Sequence, residues 1–114
     1  MKYAFDWGGV LSENCELIEI ARTLLYSGHE VHIISVAWAR EKRMERLCKY
    51  MMSNKIFFTD IHVIEETGNT QHGEEKVKIM REIGCRVIFD DNQDVINHAK
   101  AAGFLALKVP YKDH

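Results

Sequence analysis

Short runs of β-branched and aromatic residues take turns along this chain with longer stretches whose apolar positions recur every three or four residues, and that order restricts the fold more than any other feature. Strand and helix in repeated succession is the order of an α/β architecture, in which helices cover a parallel sheet. The strand-like runs are Lys2-Tyr3-Ala4-Phe5-Asp6, Val31-His32-Ile33-Ile34-Ser35, a stretch within Ile61 to Ile64, Arg86-Val87-Ile88-Phe89 ending in Asp90-Asp91, and Leu105 to Val109. The Ile56-Phe57-Phe58 run either begins the third strand or forms a separate turn-bounded piece.

Between the runs lie helical patterns. Leu17, Ile20, Ala21, Leu24 and Leu25 make an apolar stripe that Ser12 or Asn14 can cap and Gly28 can end. Met44, Leu47, Cys48 and Met51 share one face of the next helix, whose other face carries Arg40, Lys42, Arg43, Glu45 and Arg46 and reads as solvated surface. Lys76, Ile79, Met80 and Ile83 are in register before Gly84, and Asn92 caps a helix that runs to Ala102-Gly103.

The 114 residues, 46% of them hydrophobic, suffice for one core and one domain. Lys and Arg number 15 against 17 Asp and Glu, a formal charge of −2, so general nucleic-acid binding through a basic face is not expected. No apolar run approaches the roughly 20 residues needed to cross a bilayer, and the start shows no targeting signal, so a soluble cytoplasmic protein is expected. Three separated cysteines without C-x-x-C spacing argue against a disulfide scaffold or structural zinc, and the histidines show no ligand spacing.

Right-handed crossovers bring the carboxyl ends of parallel strands to one edge, where ligands bind at the point of strand-order reversal. Asp6, Ser35 and Asp90-Asp91 end strand-like runs, and Lys76 lies near the start of the helix before the fourth. Singly, each is an ordinary turn or capping residue. If the first and fourth strands are neighbours, however, three carboxylates converge, and their repulsion calls for a cation. Oxygen donors without His or Cys favour Mg²⁺. Trp7 and Trp38 lie close to the first and second strand ends, where an indole either stacks on a substrate base or belongs to the core. Arg40 either reaches a substrate phosphate or stays on the solvated face.

With these residues assembled, the chain resembles the haloacid dehalogenase (HAD) superfamily from Tyr3 to Phe104. Phe5-Asp6-Trp7-Gly8-Gly9-Val10-Leu11 is similar to the family's Asp-x-Asp-Gly-(Thr/Val)-Leu motif except that Gly8 replaces the second aspartate. Ser35 matches the strand-terminal Ser or Thr, Lys76 the lysine with Lys78 as fallback, and Val87-Ile88-Phe89-Asp90-Asp91 the acidic fourth motif.

The resemblance implies a three-layer sandwich with a five-stranded parallel sheet ordered 3-2-1-4-5 and, given the short connections, no cap domain. It implies a Mg²⁺-dependent phosphohydrolase in which Asp6 is the nucleophile and forms an aspartyl-phosphate. Ser35 and Lys76 hold phosphoryl oxygens. Asp6, Asp90, Asp91 and the Gly8 carbonyl hold the metal, and Trp7 and Gly8 border the substrate. Gly8 cannot supply the family's acid and base, so slow turnover is expected, or else a degraded member that binds a phosphorylated ligand or a protein partner. An uncapped site suits a small or macromolecular phosphoester, or borrows a lid from a second copy in a homo-oligomer.

Overall fold

The computed structural model describes residues 1–110. Its strands are β1 (Lys2–Phe5), β2 (Glu30–Ala37), β3 (Asp60–Glu65), β4 (Val87–Asp90) and β5 (Leu105–Lys108). Its α-helices are α1 (Cys15–Tyr26), α2 (Arg40–Asn54), α3 (His72–Ile83) and α4 (Gln93–Ala101). All strand pairs are parallel and the sheet order is β3-β2-β1-β4-β5, a Rossmann-like α/β fold. No domain is inserted between strands among the described residues. No described helix is long and apolar enough to cross a membrane.

A sheet covered on both faces needs strands that are apolar on both sides, and β2 meets this with Val31, Ile33 and Ile34 all buried. One core lies between the sheet and the first two helices, joining Phe5, Ile33 and Val63 to Ile18, Ala21 and Leu47. The other joins Ala4, Ile34 and Ile88 to Val77 and Met80 of α3 and Val95, Ile96 and Ala99 of α4.

Several local expectations are corrected. The buried line of α1 runs through Ile18 and Ala21, flanked by Leu17, Leu24 and Leu25, while Ile20 is 44% exposed because it falls outside the arc that faces the sheet. Cys48 of α2 is exposed for the same reason. Asn14 precedes α1, but its Nδ2 donates to Val10 O instead of its side chain capping the helix. Ile56 and Phe58 anchor a connection rather than a strand, with Phe57 exposed between them. β2 continues past Ser35 to Ala37, and β5 stops at Lys108, with Val109 N donating to Asp90 O (2.8 Å).

Candidate functional site

β1 and β4 are neighbours although the chain visits β2 and β3 between them, so strand order reverses at their carboxyl ends. Asp6 N donates to Phe89 O (3.0 Å), tying the two ends together. Ligand atoms of Asp6, Asp90 and Asp91 thereby come within 4.8 Å of one another, and the expected carboxylate cluster is present.

Lys76 reaches this cluster from α3. The side chain is 3% exposed, and its Nζ lies 2.7 Å from Asp90 Oδ2 and 3.2 Å from Asp6 Oδ1. Lys78 points to solvent, so the α3 register selects Lys76. Asp90, fully buried, also accepts from Asn92 N at Oδ1 (3.0 Å). Asp6 Oδ1 accepts from Trp7 N (2.9 Å) as well, which leaves Asp6 Oδ2 as the oxygen that neither Trp7 nor Lys76 engages.

Burial is the largest influence on the charge states. It pushes Asp6 up to about 6, with Asp90 and Asp91 adding to the rise and Lys76 opposing it. Burial also raises Asp91, and Asp90 adds to this. Burial works against the Lys76 ammonium, yet Asp6 and Asp90 together outweigh it and hold its pKa above the ordinary value. The Lys76 ammonium therefore pairs with two of the three carboxylates and leaves Asp91 outside its ion pairs, an arrangement that a divalent cation with oxygen ligands would complete. The donor set fits Mg²⁺: hard carboxylate oxygens, with Asp91 only partly buried and less engaged than Asp90.

Arg43 is the residue that sequence reasoning missed. Expected on the solvated face of α2, it turns inward, and its Nη1 donates to Ser35 Oγ (2.7 Å). Ser35 is fully buried, and Arg43, rather than Ser35, lines the small cavity of about 190 Å³ formed with Asp6, Gly8, Val36, His72, Lys76, Asp91 and Asn92. Burial lowers the Arg43 pKa while Asp6 opposes this, and a guanidinium remains cationic there. Arg40 Nε donates to Val63 O (2.9 Å), so the nearby arginine is spent on the sheet.

Trp7 does not border the cavity. It is 7% exposed and packs edge-on against Tyr50, so of its two expected places, against a substrate or in the core, it occupies the core. Trp38 is 70% exposed. A broader depression of about 420 Å³, lined by Arg22, Leu25, Tyr26, Lys55, Ile56 and Phe57, holds no comparable cluster of reactive groups.

The two adjacent glycines have different constraints. Gly9 has φ +74°, and a methyl added there would collide with Asp91 Oδ2, so backbone and site both require glycine. Gly8 has φ −65° and ψ 125°, open to any residue, and a Cβ added there would meet only Arg43 Nη1 at 3.8 Å. An aspartate at position 8 is thus not excluded by backbone strain, and a cation stands beside that position.

No family model matches the sequence, and no curated protein matches it significantly. Solved structures do. A chain from the structure of the Pnkp1/Rnl/Hen1 RNA repair complex aligns over 99% of this chain with a TM-score of 0.79 and 13% identity. A chain from another Pnkp1/Rnl/Hen1 complex structure aligns over 99% with a TM-score of 0.77 and 14% identity. The alignments span 43% and 47% of those chains, under half of their length. At this identity they establish the fold.

Proposed function

We propose that this protein is a Mg²⁺-dependent phosphohydrolase of the HAD type, hydrolysing phosphomonoesters through an aspartyl-phosphate on Asp6. The observation that carries the reading is the charge arrangement at the switch point: three carboxylates around buried Lys76, with Arg43 facing the same cavity. Asp6, Asp91 and Asp90, with the Gly8 carbonyl, would hold the ion. Bound there, Mg²⁺ supplies charge neutralisation and Lewis acidity toward a phosphoryl group. Asp6 Oδ2 is the attacking oxygen. Lys76 holds one phosphoryl oxygen and offsets charge on Asp6, and Arg43 takes another oxygen, positioned by its hydrogen bond to Ser35. The substrate-binding role implied for Ser35 is thus exercised through Arg43.

The absence of an inserted cap favours a macromolecular phosphoester or a lid from another chain. That the structural neighbours come from a multi-protein RNA repair complex favours the same class of partner. A second reading, a phosphate-binding protein without turnover, is favoured by one feature: Arg43, an anion binder, stands beside Gly8, where the family's acid and base would project.

Phosphate release over a panel of phosphomonoesters, with and without Mg²⁺, tests the choice. The hydrolase reading expects Mg²⁺-dependent release abolished in Asp6→Asn. It also expects Mg²⁺ to raise Tm, by about 2.7 kcal/mol of stability at a hundredfold excess over Kd, and Asp91→Asn to lose most of that gain. Release from no ester, with inorganic phosphate still raising Tm through Arg43, would transfer the case to the binding protein.

A further inference from the structure

Gly8 leaves a HAD-type hydrolase without its acid and base, and the same cavity contains one imidazole, outside the residues assigned to the metal and the phosphoryl group. His72, the first residue of α3, lines it with Asp6, Gly8, Arg43, Lys76 and Asp91. Its Nε2 lies 2.5 Å from Glu66 Oε2. Glu66 is itself held: Oε1 accepts from Gly68 N (2.9 Å) and Thr70 N (3.4 Å), and its own N donates to Ala37 O (2.9 Å) at the end of β2. The side chain of Glu66 is 13% exposed and that of His72 32% exposed. The base of α3 is fixed as well, since Gly73 N donates to Asp94 Oδ2 (3.1 Å).

The hydrogen bonds from His72, Thr70 and Gly68 drive Glu66 down to about 2, so it is an ionised acceptor at neutral pH and the His72 Nε2–H must donate to it. That fixes the tautomer. Nδ1 is left as the nitrogen that gains or loses a proton, the same division of labour by which a carboxylate orients a catalytic imidazole in hydrolytic triads.

We propose that His72, oriented by Glu66, is the general acid and base of this site and replaces the aspartate missing at position 8. The proposal rests on the hydrolase reading above. In the first step Asp6 Oδ2 forms a bond to phosphorus while the bond from phosphorus to the ester oxygen breaks, and Nδ1–H of the imidazolium gives its proton to the departing alkoxide. In the second, neutral Nδ1 takes a proton from water as that water's oxygen bonds to phosphorus. The acyl-phosphate P–O bond breaks, the Asp6 carboxylate is restored and phosphate leaves. The charged groups sharing the cavity with His72 are Asp6, Arg43, Lys76 and Asp91, with Glu66 behind it. Glu66 is a positioning residue.

The experiment compares wild type, His72→Gln, Glu66→Gln and Asp6→Asn on a series of alkyl and aryl phosphomonoesters in Mg²⁺, with Tm recorded for each and phosphoenzyme followed by intact mass. His72→Gln should lose about 10²-fold or more in kcat/KM on alkyl esters, whose leaving oxygen needs a proton, and much less on nitrophenyl phosphate. On the activated ester it should accumulate phosphorylated Asp6, because the second step then lacks its base. Glu66→Gln should reproduce the leaving-group trend in weaker form and shift the pH profile of kcat/KM. His72→Asn provides a second variant should His72→Gln unfold. Turnover that is lost in Asp6→Asn but shows the same leaving-group dependence in well-folded His72 variants as in wild type, without accumulated phosphoenzyme, overturns the role of His72 and leaves the hydrolase reading intact. Absence of turnover in wild type overturns both.

Discussion

The two ends of the sheet carry clusters of titratable groups that are resolved in opposite ways. At the amino ends, His32 Nε2 lies 2.9 Å from Glu30 Oε1, His32 Nδ1 lies 3.2 Å from His62 Nε2, and Asp60 Oδ2 lies 3.9 Å from His62 Nε2. With Nε2–H of His32 donating to Glu30, Nδ1 is free to accept from Nε2–H of His62, and the chain of hydrogen bonds closes. Burial then lowers the His62 pKa, in keeping with a neutral ring. At the carboxyl ends, three carboxylates cluster beside one buried ammonium, and Asp6 is pushed up to about 6. One cluster satisfies itself, whereas the other sets three carboxylates against the two cations Lys76 and Arg43 and keeps an excess of negative charge. The lesson is that titratable density alone does not single out a candidate site; uncompensated charge in a crevice is the better guide.

Breaking the ammonium is the severest challenge to this contrast. Lys76→Met should cost about 3–5 kcal/mol in denaturant unfolding, because it leaves buried Asp90 without its ion-pair partner and Asp6 with Arg43 alone. A loss under 1 kcal/mol would mean that the carboxylates are already protonated together and that the site is not charged as described.

Removing one carboxylate should act in the reverse direction. A folded-state pKa above the ordinary 3.8 means that the fold resists ionisation of Asp6; the associated stability is present below 3.8 and is lost as pH rises through about 6. Asp6→Asn should therefore stabilise the metal-free protein at pH 7 by about 1–3 kcal/mol, and the two melting curves should converge near pH 4. Mg²⁺ should erase the difference by stabilising wild type preferentially. A variant less stable than wild type at pH 7 without metal would show that Asp6 serves the fold as an ion-pair partner and not as a strained ligand.

The smallest effect belongs to the self-satisfied end. Since the His62 pKa is lowered in the folded state, stability is full above the unfolded value near 6.5 and declines as pH falls below it. His62→Gln should lessen the Tm drop between pH 7.5 and 5.5 and leave any Mg²⁺ response unchanged. A change in the Mg²⁺ response would join the two ends into one coupled system and remove the distinction.

Sequence order by itself determined the architecture. Alternating strand and helix patterns lead to parallel strands, and parallel strands place Asp6, Asp90 and Asp91 at one edge. Lys76 was also legible, because it sits in register with Ile79, Met80 and Ile83 while Lys78 does not. Arg43 was not. Arg40, Lys42, Arg43 and Arg46 crowd the same part of α2, and which of them bends over a strand end depends on how the helix is rotated against the sheet, a property of packing with no local mark. Trp7 had two readings, and only the core formed with Tyr50 decided between them.

The pairing of His72 with Glu66 was invisible for a related reason. The two residues flank a loop whose folding, through Gly68 and Thr70, turns one carboxylate back toward the start of α3. Backbone periodicity reports which face of an element is buried, so it locates groups carried on strand ends and helix registers. It carries no information on contacts made across a loop or by a long side chain reaching over the sheet edge. Those are selected by the whole fold at once, and here they bring the Arg43 guanidinium and the His72 imidazole to the cavity.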